Sequence, residues 1–169
     1  EIRTLSVQYP QMNFIFTDMA ELDITNKDAV SEFCNLKNVN AIINCAAYTA
    51  VDKAESDEAL ARKINVDGPQ NLASYAVKTN AKLIHISTDY VFNGHTNVPL
   101  KESDAIDPIG VYGKTKADGE DVVLKSGADT IVIRTSWLYS TFGGNFVKTI
   151  RKYGAERGHL KVVFDQVGT

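Results

Sequence analysis

The chain has 169 residues, 44% of them apolar, which suffices for one hydrophobic core and falls short of two complete domains. Its 18 Lys and Arg against 21 Asp and Glu give a net charge of -3, with no long run of either sign, which argues against nucleic acid as a partner. The two cysteines, Cys34 and Cys45, lack the spacing of a zinc site, a disulfide framework or a CxxC centre, so both read as small core hydrophobes in a reducing compartment. No stretch approaches the ~20 apolar residues of a membrane span, and the N-terminus lacks a signal-peptide pattern, so a cytoplasmic protein without a membrane partner is expected.

In chain order, residues 1–5 look like part of a helix, and residues 13–18 form a short β-rich run ending in an acidic residue, read as a buried strand. Thr25 stands where an N-cap belongs, ahead of Asp28, Ala29, Val30 and Phe33 at helical spacing. Residues 41–47 are an apolar run ending in small side chains, again a strand. From Glu55 to Lys78 the placement of Ala59, Ile64, Val66, Leu72, Ala73 and Ala76 predicts one long helix, with Gly68 and Pro69 as an irregularity. Residues 82–87 and 130–134 are two further strands, separated by a polar loop and a helix from about Val111 to Lys125, and residues 160–164 read as a last strand. Strands this apolar, alternating with helices, call for an α/β fold with a doubly wound parallel sheet covered on both faces.

In open parallel sheets ligands gather at the carboxyl ends of strands, so the residues after each apolar run matter most. Thr88 and Asp89 place a hydroxyl and a carboxylate together at one such end, although an ordinary turn explains them as well. Tyr112 and Lys116 lie four positions apart, on one helical face, where solvated pairs are also common. Chemistry gives the pair its interest. A phenol with a pKa of about 10 exchanges protons poorly near neutrality, and a neighbouring cation favours its phenolate, so such a tyrosine can shuttle a proton at a carbonyl or alkoxide oxygen. His85, Glu102, Asp104 and Asp107 lack the spacing of a dedicated metal site, so no metal ligand is assigned.

Taken together, Thr88 after Ser87, then Tyr112 with Lys116, resemble the Thr/Ser, Tyr, Lys triad of the extended short-chain dehydrogenases/reductases, which act on nucleotide sugars. Residues 44–55, 87–92, 111–116 with Gly119 and Glu120, and 134–139 resemble, in the same order, the dTDP-4-dehydrorhamnose reductases of that family. The resemblance implies a Rossmann-like NAD(P)-binding fold, NADPH or NADH as cofactor and a dTDP-sugar partner. It also implies reduction of the 4-keto group of dTDP-4-dehydro-L-rhamnose to dTDP-L-rhamnose. By the same resemblance Tyr112 delivers the proton to the keto oxygen, Lys116 lies between Tyr112 and the nicotinamide ribose and lowers the phenol's pKa, and Thr88 hydrogen-bonds the keto oxygen. Asp89 and Trp137 correspond to substrate contacts. Asp18 corresponds to the carboxylate on the adenosine ribose, Asp23 and Ile24 to the segment beside the adenine, and Ala47, Tyr48 and Thr49 to the passage under the dinucleotide, with Ile86 a further cofactor contact. Mg2+ and a homodimer enter only through the resemblance.

The family's glycine-rich turn and its sugar-pocket region have no counterpart between Glu1 and Thr169. Residues 1–169 are therefore expected to be a reductase core truncated at both ends, with the substrate-domain remainder beyond 169 and weak cofactor binding on its own. Two rivals exist. A nucleotide-sugar epimerase or dehydratase shares Thr, Tyr and Lys but keeps its NAD, and the wording of residues 90–92 and 135–137 argues against it. A non-catalytic regulatory subunit with this fold has no chemical need of all three residues.

Overall fold

The computed structural model describes residues 1–163. In chain order its elements are α1 (Ile2–Leu5), α2 (Lys27–Leu36), β1 (Ala41–Asn44), α3 (Val51–Ala54), α4 (Glu58–Arg62), α5 (Gly68–Thr79), β2 (Lys82–Thr88), α6 (Val111–Leu124), β3 (Asp129–Thr135) and α7 (Phe146–Arg157). They fall into two compact units, Thr17–Thr135 and a second built from Glu1–Phe16 with the segment from Ser136 onward.

The larger unit is a parallel sheet in the order β1-β2-β3, with Ala41 paired to Lys82 and Lys82 to Asp129. This is the expected α/β, Rossmann-like architecture. Val30 and Cys34 of α2, Leu72, Ala73 and Ala76 of α5, Leu83 of β2 and Val123 of α6 form the main core, so these helices share one face of the sheet. Each fully buried Leu or Val contributes ~1.5–3 kcal/mol. Asn38 and Asn80 take φ of 52° and 55°, left-handed backbone that ends a helix and turns the chain toward β1 and β2.

Several local expectations need correction. Asn26, not Thr25, caps α2: its Oδ1 accepts from the backbone N–H groups of Asp28 and Ala29 at 3.1 Å each, while the Thr25 hydroxyl donates to Asp23 Oδ1 at 2.7 Å. Residues 13–18 have no regular structure, because a strand exists only through a ladder partner and none pairs with them among the described residues. Residues 160–163 have no regular structure, and Phe164 lies outside the described residues. Cys45 is exposed, one residue past the end of β1, whereas Cys34 is buried as expected.

The helix predicted from Glu55 to Lys78 is interrupted. α3 stops at Ala54, and α4 runs through a π-helical turn, Lys63–Asp67, into α5. Pro69 has no N–H to return to the carbonyl four residues earlier, that of Asn65, so an ordinary α-helical bond is ruled out there. That carbonyl faces α6: a Cβ added at Gly119 would lie 2.2 Å from it. Gly113, on the same helix, stands as close to the carbonyl of Tyr90, again 2.2 Å from an added Cβ. Two glycines thus let α6 touch neighbouring backbone directly.

In the smaller unit the Arg3 guanidinium lies 4.4 Å from the Phe16 ring centroid, and Asn145 caps α7 by accepting from Lys148 N–H at 3.1 Å.

Gly119→Ala should destabilise the protein by ~1–3 kcal/mol, because backbone rather than a side-chain tip must give way. Gly154→Ala in α7, where the nearest atom would be Leu160 Cδ1 at 3.7 Å, should be neutral or slightly stabilising. Thermal unfolding of the two variants checks this, and equal effects would disprove the close approach at Gly119.

Candidate active site

The carboxyl end of β2 and the buried face of α6 bring Thr88, Tyr112 and Lys116 together. β2 ends at Thr88, whose Oγ accepts from Tyr90 N–H at 3.2 Å as the chain enters a 3-10 turn, Asp89–Val91. α6 starts at Val111, whose N–H donates to Glu55 Oε1 at 2.8 Å, so a carboxylate from beyond α3 caps the helix that carries the tyrosine. Tyr112 stands one residue later, edge-on to Tyr90 with ring centroids 5.4 Å apart, with the Thr88 hydroxyl as a neighbour of its own. One turn on, Lys116 is only 2% exposed and its Nζ donates to Ile86 O at 2.7 Å. An ammonium has three N–H donors, so Lys116 keeps capacity for the hydroxyls of a bound ligand.

Electrostatics separate the two members of the pair. Burial raises the Tyr112 pKa above its ordinary value, the neighbouring Thr88 hydroxyl pulls it down, and Asp89 and Tyr90 raise it again. The Lys116 ammonium is turned toward the Ile86 carbonyl. Burial instead lowers Lys116 itself to about 8, with the Glu120 carboxylate and Cys45 opposing. The Thr88 hydroxyl donates its one proton to Asp89 Oδ1 at 3.1 Å, and a turn toward Tyr112 would aim it at the phenol instead. Donation to the phenol favours its ionised form.

The other residues singled out from the sequence are more dispersed. Asp18 is exposed and its Oδ1 accepts from Ala20 N–H at 2.8 Å, which lowers its pKa, while its own N–H donates to Glu21 Oε2 at 3.0 Å. Asp23 is engaged locally by Thr25, and Ile24 is partly buried against the core and Gly68. Ala47, Tyr48 and Thr49 follow β1. Tyr48 is buried, its N–H donating to Asn65 Oδ1 at 2.8 Å and its hydroxyl to Asp57 at 3.3 Å, so the side chain leans toward α4. Trp137 belongs to the smaller unit, edge-on to Phe146 at 5.6 Å with φ of 49°. Among the described residues no group of three or more His, Cys, Asp and Glu could hold a metal ion.

Sequence reasoning missed a buried polar set behind the triad. Asn65 in the π turn clamps Tyr48 through both N–H and carbonyl and donates to Thr115 Oγ at 3.0 Å. The only local hint was Pro69, four residues later. His85 is fully buried on β2. Its Nδ1 accepts from Asn44 Nδ2 at 3.1 Å, which leaves the proton on Nε2, and that nitrogen has no partner among the described residues. Burial first, and then the Lys116 charge, lower its pKa to about 4 against the pull of Glu120.

A parallel α/β sheet with Thr, Tyr and Lys gathered at one strand end defines a Rossmann-like protein of the short-chain dehydrogenase/reductase kind. The chain belongs to the family described as RmlD substrate binding domain, whose family model matches residues 3–169. It is similar to the dTDP-4-dehydrorhamnose reductase of Aggregatibacter actinomycetemcomitans, 47% identical over 151 residues, which cover 89% of this chain and 51% of the relative. Its fold matches the crystal structure of a dTDP-4-dehydrorhamnose reductase from Clostridium acetobutylicum, with TM-score 0.92 and 48% identity over 99% of this chain and 60% of that one. The Bacillus anthracis dTDP-4-dehydrorhamnose reductase in complex with NADP matches with TM-score 0.85 and 40% identity over 92% of this chain and 56% of that one. The chain spans about half the length of the curated relatives it matches.

His85 makes stability pH-dependent in a known direction. The folded protein protonates it near 4 and the unfolded chain near 6.5, so between these values the unfolded state binds the extra proton. The stabilisation is complete above 6.5 and is lost as pH falls toward 4, on the order of 3 kcal/mol in all. The melting temperature should therefore drop between pH 7 and 5, and His85→Gln, which does not titrate, should flatten that slope. Equal slopes in the two proteins would rule His85 out as the cause.

Proposed function

We propose that this chain is the NAD(P)-binding core of a cytoplasmic dTDP-4-dehydrorhamnose reductase. The activity is reduction of the 4-keto group of dTDP-4-dehydro-L-rhamnose to give dTDP-L-rhamnose. The observation that carries this reading is the meeting of Tyr112 and Lys116 on α6 with Thr88 at the end of β2. The names of the relatives support the substrate class.

When bound, NADPH or NADH supplies a hydride to the keto carbon. The chain's own residues manage the proton and the charge. Tyr112 gives its hydroxyl proton to the keto oxygen, and the Thr88 hydroxyl offers that oxygen a second hydrogen bond as negative charge develops. The remaining N–H donors of Lys116 hold ribose hydroxyls, and its positive charge steadies the phenolate left on Tyr112. The burial that raises the Tyr112 pKa keeps the phenol protonated, and so ready to donate, near neutral pH. Asp18 holds the adenosine ribose, Ala47, Tyr48 and Thr49 line the passage under the dinucleotide, Asp89 accepts from sugar hydroxyls, and Trp137 contributes an aromatic contact to the sugar.

In a full-length protein carrying this chain, Tyr112→Phe should lower kcat about a hundredfold or more, while the calorimetric Kd for NADPH stays nearly unchanged. The unmodified enzyme should oxidise NADPH stoichiometrically with the dTDP-4-keto sugar, whereas an epimerase returns its hydride to the sugar. Near-normal turnover by Tyr112→Phe, or no net NADPH oxidation, would refute the reading.

A further inference from the structure

The face of α6 that meets the sheet carries Tyr112, Lys116 and Glu120, one on each of three successive turns. Each meets the last residues of β2: Tyr112 neighbours the Thr88 hydroxyl, Lys116 donates to the Ile86 carbonyl, and Glu120 accepts from the Ser87 hydroxyl through its Oε1. Arg134 stands opposite Ser87 in the β2–β3 register and fills the rest of the Glu120 carboxylate. Its Nε donates at 3.0 Å to Oε1 and 3.2 Å to Oε2, and its Nη2 at 2.7 Å to Oε2. Glu120 is 2% exposed.

A buried ion pair is a poor route to stability, because desolvation offsets most of its attraction and an apolar pair of equal volume does as well or better. What the pair supplies is geometry and sign of charge. Bidentate Arg–carboxylate contact fixes a direction in space, and here it fixes the rotation and height of α6 against two strands at once.

We propose that Glu120, held by Ser87 and Arg134, is a positioning residue that sets where the Lys116 ammonium sits against the end of β2, one helical turn from Tyr112, and supplies a negative charge beside it. This rests on the reading of Tyr112 and Lys116 as the proton-delivery pair. The charged and titratable groups facing Lys116 are Glu120 on its own helix, His85 on β2 and Cys45 beyond β1, with Arg134 of β3 behind Glu120. Burial already holds Lys116 near 8, and Glu120 is the largest influence opposing that fall.

The two halves of the ion pair therefore act with opposite sign. Glu120→Gln removes the carboxylate and leaves the Arg134 charge unbalanced, which lowers the Lys116 pKa further. Activity that needs the ammonium is lost as pH rises through that pKa, so the alkaline limb of the kcat profile moves to lower pH. Arg134→Gln leaves Glu120 unbalanced and moves the limb to higher pH.

The test measures kcat and KM against pH for full-length protein, unmodified and with Glu120→Gln, Arg134→Gln, the two combined, and Tyr112→Phe. Glu120→Gln should lower kcat at pH 8 about tenfold, leave KM nearly unchanged and shift the limb down by about one unit. Arg134→Gln should shift it up, and the combined variant should return it toward the original position. A purely structural role would not move the limb in opposite directions, so limbs that stay put, or move together, overturn the proposal. Should Glu120→Gln fail to fold, the upward shift in Arg134→Gln decides alone. Turnover retained in Tyr112→Phe would instead mark the failure of the underlying reading.

Discussion

A lysine ammonium buried inside the protein is the constraint from which much of the larger unit follows. Taking such a group out of water costs several kcal/mol unless its donors and its charge are answered, and Lys116 is almost fully enclosed. Ile86 answers with its carbonyl, which requires α6 to lie close against the end of β2. That closeness is available only because Gly113 and Gly119 present no side chain to the carbonyls of Tyr90 and Asn65. Glu120 answers the charge, but a carboxylate buried for that purpose needs donors of its own, and Arg134 and Ser87 supply them from two different strands.

Asn65 shows how far the consequences reach. The π turn and Pro69 remove the usual partner of its carbonyl, and its side chain is spent on the backbone of Tyr48 and on Thr115 of α6. The residues after β1, which the proposed reaction needs near the dinucleotide, are thereby fastened to the same helix as the tyrosine and the lysine. His85 lies in the same interior and stays neutral, so it adds no second positive charge beside Lys116.

The sheet and the main helices were legible in the amino-acid sequence because their apolar periodicity is a local property: residues 82–87 and 130–134 fell within one residue of β2 and β3 at either end. Residues 13–18 misled for the converse reason, since their composition suits a strand while strand formation depends on a distant partner. Thr25 and Asn26 are both good caps one position apart, and only geometry chooses between them. Tyr112 and Lys116 were accessible as a pair because four-residue spacing on one helix is visible in the sequence. Glu120 with Arg134 and Asn65 with Tyr48 were not, because their spacings correspond to no local repeat and the partners meet only after folding.

The parallel register also has a kinetic side. Asn44 meets His85 across 41 residues of chain, and Lys82 meets Asp129 across 47, so no two strands can zip together from a shared turn. Each pairing must first close a loop that holds at least one helix, and the entropy of that closure is recovered only when helix and strand dock together. The attachment of Lys116 needs only β2, whereas the Arg134 clamp on Glu120 cannot form before β3 has paired. The carboxylate beside the lysine is therefore completed later in folding than the lysine's own seat on the sheet.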